Sequence, residues 1–354
     1  MPATSTRFKL DDSGRWVETA RPVEGSDAAL IAEVRRMIAE GAASAAEDRL
    51  DDFIDANENT SNPLLSQAYL LRGDALTAQG SEFKALYDYE MVIKAYPATP
   101  EYVTAIEREL DIAVAYVGGL KRKWLGLRWS SAVEEGEELL IRVQERLPGS
   151  RLAERAGIEL ADHYYRQRDL ALASEAYELF LQNYPNSPYR NKAMQRRIFA
   201  NIGRFKGPRY DGAALVDAAV LIRRYMSLYP AQANSAGLDQ SLLNRIDESA
   251  AQQLLEVSNW YIARDDLVSA RATLRRLTRI HPYSAAATEA SDMLKARGWE
   301  IKGEPAMVPR PVTVRAKEAS TVETSPKPGE SGLSPASPSI PASPSSPAGQ
   351  GAKP

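Results

Sequence analysis

Five apolar stretches with helical periodicity each run through a large residue into a proline: Tyr96-Pro97, Leu147-Pro148, Tyr184-Pro185, Tyr229-Pro230 and His281-Pro282. Counting back from each proline, a small residue stands twelve positions earlier and a large one eight earlier. The pairs are Ala85 and Tyr89, Gly136 and Leu140, Ala173 and Tyr177, Ala218 and Ile222, and Ala270 and Leu274. A small side chain lets a neighbouring helix approach closely and a large one fills the gap to the next unit. Proline then stops the helix, because it lacks an N–H and its ring clashes with the preceding turn.

This spacing matches the second helix of a tetratricopeptide repeat, in which A-x3-F precedes a closing proline. First helices agree in part. Tyr69, Gly73 and Leu76 take the aromatic, small and large positions of one, and Gly157, Leu160, Ala161 and Tyr164 do so more loosely in another, so the repeat is clearest at 66–97 and 152–185. The pattern predicts an all-α, tetratricopeptide-like α-solenoid of about six helix pairs with a capping helix over 26–299. An extended segment precedes it over 1–25, and a disordered Pro/Ser/Ala-rich tail follows over 300–354.

Within the extended segment, alternation about Asp11-Asp12-Ser13-Gly14, with Phe8, Leu10, Trp16 and Val17 beside it, predicts a short hairpin. Ser26-Asp27 offers a helix N-cap, and Leu30, Ile31, Val34, Met37 and Ile38 give an amphipathic helix ending near Gly41. Its partner, with Ala46, Leu50, Phe53 and Ile54, reads as a degenerate terminal repeat that lacks the closing Tyr-Pro. Two insertions fall between paired helices: GGLKRKWLGLRWSS after Val117 and the smaller RFKGPRYDG before Ala213. A long helix over about 240–264, its partner over 267–280 and a cap over 284–296 complete the stack. Half of the chain's 22 prolines lie from Pro305 onward among Ser, Ala and Gly, where no core offsets the entropy of ordering.

Composition narrows the functional classes. A net charge of −3 supplies no global basic field for sequence-independent nucleic-acid binding. The chain as written has no cysteine, which excludes disulfides, thiolate metal sites and cysteine-linked lipid within it. Its start has neither a basic n-region nor an apolar h-region, and no run of about eighteen apolar residues spans a bilayer, so peripheral membrane contact is the most expected of it. No phosphate loop or G-x-S-x-G elbow occurs, and the two histidines, His163 and His281, belong to different repeats. The sequence points to a protein without cofactor or metal that binds rather than catalyses. Glu134, Glu135, Glu137 and Glu138 lie at a helix start, where the dipole favours negative charge.

From about Ala28 to Gly298 the chain resembles the BamD-like outer-membrane protein assembly lipoproteins. The closest stretches are Tyr177 to Ala193, Leu147 to Ala156 and Phe205 to Pro230, together with the order of the two insertions. The resemblance implies five or so tetratricopeptide-like pairs at the periplasmic face of the outer membrane, binding the barrel-forming insertase and its unfolded clients. Family members are tethered by a lipidated N-terminal cysteine, which this sequence does not contain. A soluble cytoplasmic tetratricopeptide adaptor and an envelope coordinator linked to peptidoglycan synthesis are the alternatives.

A tetratricopeptide stack presents a groove lined by first-helix side chains. In this register Asp74, Arg155, Asp162, Tyr165 and Asn259 fall on it. Leu70, Ile158 and Leu255 occupy the places where lysine or asparagine would clamp a C-terminal carboxylate. The first insertion interleaves cations with aromatics through Lys121, Arg122, Lys123, Trp124, Arg128 and Trp129. Either it docks on anionic headgroups or a partner, or its tryptophans fold back onto the third repeat. Arg209 and Tyr210 in the second insertion are a further candidate contact, beside Asp211 as a helix cap. Arg72-Gly73-Asp74 spells an adhesion tripeptide but sits mid-helix.

Overall fold

The computed structural model describes residues 7–10, 16–19, 22–124 and 127–299. The stretch expected to form a disordered tail lies outside them. Strands β1 (Arg7–Leu10) and β2 (Trp16–Thr19) pair antiparallel, with Leu10 opposite Trp16. The helix pairs then follow in order: α1 (Asp27–Ala39) with α2 (Ala43–Asn57), α3 (Leu65–Ala78) with α4 (Glu82–Ala95), and α5 (Glu101–Val117) with α6 (Val133–Arg146). Next come α7 (Arg151–Arg166) with α8 (Leu170–Asn183) and α9 (Arg190–Arg204) with α10 (Ala213–Leu228). A short α11 (Pro230–Ser235) leads into α12 (Gln240–Ile262) with α13 (Leu267–Ile280), and α14 (Ala285–Ala296) caps the series. Strands β3 (Arg122–Trp124) and β4 (Leu127–Ser130) form a hairpin inside the third pair. Six pairs and a cap are what the proline spacing predicts; α11 was not legible in it.

Every helix ending at an x-Pro pair ends in the same way. Tyr96, Leu147, Tyr184, Tyr229 and His281 are the C-caps of α4, α6, α8, α10 and α13, each with φ between −121° and −137° and its N–H returned to the carbonyl four residues back. Each thereby leaves the α region, which a following proline disfavours for the residue before it. Two residues past the proline a serine often starts the next helix. Ser150 Oγ accepts from Ala153 N at 3.1 Å and Ser284 Oγ accepts from Ala287 N at 3.0 Å.

The small and large positions are the spine of the core. Ala85, Ala173, Ala218 and Ala270 have no exposed surface, and neither do Tyr89, Leu140, Tyr177, Ile222 and Leu274. Contacts join the helices in succession as far as α11, α12 meets α10 and α13, α13 meets α14, and a second set joins α1 to α3, α3 to α5, α5 to α7 and α7 to α9. This is the neighbour-only connectivity of a repeat array.

The turn from a first helix to its partner requires one residue at positive φ, closing a bond from the N–H of the residue after it to a carbonyl five back. Glycine supplies it at Gly41 and Gly80, where Ala42 N reaches Met37 O and Ser81 N reaches Leu76 O, both at 2.8 Å. The fourth pair uses Arg168 at φ 62° and the sixth uses Asp265 at φ 60°. A Cβ in this region costs roughly 1–2 kcal/mol. Arg168→Gly is therefore expected to stabilise the protein by about 1 kcal/mol in a urea titration; an unchanged midpoint would show that the turn stores no strain.

Candidate interaction surface

Asp74 and Asp162 come from equivalent places in α3 and α7 and have equivalent partners. The Tyr89 hydroxyl donates to Asp74 Oδ1 at 2.9 Å, and the Tyr177 hydroxyl to Asp162 Oδ1 at 2.5 Å. In both cases tyrosine follows aspartate by fifteen residues. An arginine 34 residues on, in the next first helix, completes each group: Arg108 Nε bonds Asp74 Oδ1 at 2.8 Å, and Arg196 Nη1 approaches Asp162 Oδ1 at 2.5 Å. Lys192 also pairs with Asp162. Burial pushes both tyrosine hydroxyls upward, reinforced by the neighbouring carboxylate. These aspartates tie a second helix to its own first helix and to the following repeat. With Asp162 3% exposed, no oxygen of it is left to a partner. The sequence signal for these groups is the Asp-to-Tyr and Asp-to-Arg spacing, visible twice.

The other first-helix candidates differ in availability. Arg155 pairs with Asp111 at 2.9 Å on a surface where both remain near half exposed. Tyr165 meets Tyr177 edge-on, with centroids 6.3 Å apart, and carries the Arg196 guanidinium 5.6 Å from its ring. Asn259 is exposed on α12.

The β3–β4 hairpin turns its cations inward on the second and third pairs. Arg128 Nη2 reaches Glu82 Oε1 at 2.6 Å and the Gly80 carbonyl at 3.2 Å, while Nη1 bonds the Lys121 carbonyl at 2.8 Å. Lys123 Nζ donates to the Gln79 carbonyl at 3.1 Å. Arg122 pairs with Glu135 at 3.0 Å and stacks 3.9 Å over the Phe83 ring. Arg128 and Lys123 thus satisfy carbonyls and a carboxylate around the α3–α4 turn and Arg122 a carboxylate of α6, so three of the four cations expected among docking residues are engaged within the chain. Trp129 is 63% exposed and Lys121 is exposed.

The second insertion packs on the sixth pair. The Tyr210 carbonyl accepts from Gln253 Nε2 at 2.5 Å, and Arg209 lies 3.8 Å from Glu256. Asp211 Oδ1 accepts from Ala213 N at 3.0 Å, so it supports the start of α10 from one residue before the Gly212 cap. Val257 and Trp260 stand three apart on α12, and Arg264 follows in the turn just beyond its end. Trp260 is half exposed, with the Arg264 guanidinium 3.7 Å above its ring and Tyr261 edge-on at 5.1 Å. Tyr210 is 59% exposed at the end of this face. Asn259, Arg209 and Tyr210 are legible as candidates in the sequence; Trp260 and Arg264 are not among them, and the signal for this stacked pair is their four-residue spacing across the end of a long helix.

Buried ion pairs brace the remaining contacts. Arg146 of α6 bonds Glu109 of α5 and Glu90 of α4, both at 2.5 Å. Burial pushes the Glu109 carboxyl up to about 7 against the pull of Arg146. Among the described residues no group of three or more metal-ligating side chains occurs, and no helix is long and apolar enough to cross a membrane.

Residues 128–297 match the model of a family described as outer membrane lipoprotein, and residues 67–99 match a tetratricopeptide repeat. The first match runs from β4 to α14. Among solved structures, the chain is similar to the C-terminal part of a TPR repeat-containing protein from Cytophaga hutchinsonii, at 12% identity over 75% of this chain and 88% of that one, with a TM-score of 0.37. It is also similar to PilW, a widely conserved type IV pilus biogenesis factor, at 14% identity over 74% of this chain and 96% of that one, with a TM-score of 0.29. No curated protein matches. With these matches on successive helix pairs, the chain carries a tetratricopeptide repeat over residues 67–99 and resembles the BamD-like outer-membrane lipoproteins across residues 128–297.

Proposed function

We propose that this protein is a non-catalytic scaffold of the cell envelope that holds partner polypeptides during outer-membrane β-barrel assembly. The observation that carries the reading is the α12 face, where Tyr210, Val257, Trp260 and Arg264 stay accessible within the region matching the outer membrane lipoprotein family. Aromatic and arginine side chains of this kind dominate binding energy where they become covered in a well-packed, desolvated contact. Arg155, Asn259, Arg209 and Trp129 supply further accessible groups. Asp74, Asp162, Arg122, Lys123 and Arg128 contribute by fixing the repeats and the hairpin that present them.

Two measurements test this. Fractionation of native cells is expected to place the protein with the outer membrane, together with the barrel-forming insertase; recovery from cytosol alone, without any barrel-assembly component, would overturn the envelope role. The purified full chain is also expected to bind the insertase's periplasmic region, with Trp260→Ala/Tyr210→Ala weakening Kd at least tenfold, about 1.4 kcal/mol. An unchanged Kd for a fully folded variant would remove this face from the interaction.

A further inference from the structure

The first and last second-helices carry opposite charges at the same repeat positions. Counted from the small core residue of each, Ala46 in α2 and Ala270 in α13, the first, fifth, sixth and ninth positions are Glu47, Asp51, Asp52 and Asp55 in one. In the other they are Arg271, Arg275, Arg276 and Arg279. Some of these are engaged: Gln79 donates to Glu47, Arg72 pairs with Asp51, and Arg275 donates to the Trp299 carbonyl. Asp52, Asp55, Arg271, Arg276 and Arg279 are exposed and have no partner among the described residues. Asp48, four residues before Asp52, extends the acidic row. Exposed Val268, Ile280 and Tyr283 flank the arginines.

The same polarity holds over the whole stack. Residues 22–185 contain 29 acidic and 17 basic side chains, whereas residues 186–299 contain 10 acidic and 17 basic. Such a molecule attracts its own kind when the unlike ends meet. We propose that the arginine row of α13 docks the acidic row of α2 on a second copy of this chain. The matched register sets Arg276 and Arg279 against Asp52 and Asp55, and each copy brings one face of each sign, so two copies can exchange them reciprocally. Exposed ion pairs are individually weak and screened by salt, and the contact is accordingly salt-sensitive.

Sedimentation equilibrium of the full chain tests this at about 0.02 M and about 0.5 M salt, where the screening length falls several-fold. The wild-type protein is expected to self-associate at low salt and to be monomeric at high salt. Arg276→Glu/Arg279→Glu sets carboxylates on both sides of the central contact, and Asp52→Arg/Asp55→Arg sets guanidiniums on both sides. Each variant, folded by circular dichroism, is expected to be monomeric alone, and an equimolar mixture of the two is expected to recover association at low salt. A wild-type monomer at low salt, association surviving in either variant, or a mixture that stays monomeric would each overturn the proposal. Loss of binding to phosphatidylglycerol vesicles in the Arg276→Glu/Arg279→Glu protein, with a monomeric wild type, would assign the arginine row to a lipid surface instead.

Discussion

Arg72→Met is expected to destabilise the protein by about 3–5 kcal/mol in urea denaturation, the scale for removing one partner of a buried ion pair. Arg72 leaves α3 and bonds Asp88 of α4 through Nε and Nη2, at distances down to 2.6 Å, and Asp51 of α2 through Nη1 at 2.8 Å. One guanidinium thus joins three helices. The Asp88 side chain is 6% exposed, and burial raises its pKa although Arg72 opposes the shift. A carboxyl raised in the folded state favours folding below its unfolded pKa, and that contribution is lost as pH rises through the folded value. Without Arg72 the folded value rises further, so the deficit of the variant is expected to be larger at pH 8 than at pH 5. Arg72→Met/Asp88→Leu, which leaves no buried charge, is expected to regain most of the loss. Equal deficits at both pH values would show that Asp88 escapes to water when its partner goes.

The second large effect is expected at the contact of Gly73 with Tyr89. A Cβ on Gly73 would lie 2.5 Å from Cε1 of Tyr89, a ring with no exposed surface that cannot swing aside. Overpacking of this kind costs about 1–3 kcal/mol, so Gly73→Ala should destabilise despite the better helix propensity of alanine. Tyr89→Ala should cost about 3–5 kcal/mol through the cavity and the loss of its bond to Asp74. In the Tyr89→Ala background the clash is gone, and Gly73→Ala is then expected to stabilise by up to about 1 kcal/mol. This reversal of sign in thermal or urea melts is the diagnostic result. Additive effects would mean that the two helices do not meet at these residues.

The proline spacing made the stack legible because one physical requirement, a small residue facing a close neighbour and a large one filling the next gap, recurs at fixed distance. Even the departure at Gly136 belongs to it. A Cβ there would sit 2.9 Å from Tyr116 Cβ, so the third pair approaches more closely than alanine permits. The candidate surface was less legible because charge and aromaticity do not reveal their partners. Arg128 and Trp129 are adjacent in a basic aromatic run, yet Arg128 turns to Glu82 while Trp129 is largely exposed. Asp74 and Asn259 both fall on first-helix positions, but only the side chain across the helix pair decides which is occupied. Trp260 was not legible as a surface residue, because the sequence of a long amphipathic helix does not tell a buried lone tryptophan from an exposed one.

The paired Asp-Arg groups also set where the stack is weakest. Arg108 and Arg196 clasp the second pair to the third and the fourth to the fifth, so neither junction opens without stranding a carboxylate. The sixth pair joins the fifth through an apolar cluster that includes Ile222 and Tyr225 of α10 and Leu243 and Ile246 of α12, and its polar links there include the Gln253 bond to the Tyr210 carbonyl and a 3.8 Å contact between exposed Arg209 and Glu256. Under tension, a rod jointed in this way parts at its loosest coupling. The sixth pair and its cap, together with the aromatic face they carry, would peel away as one leaf while the clasped pairs stay together.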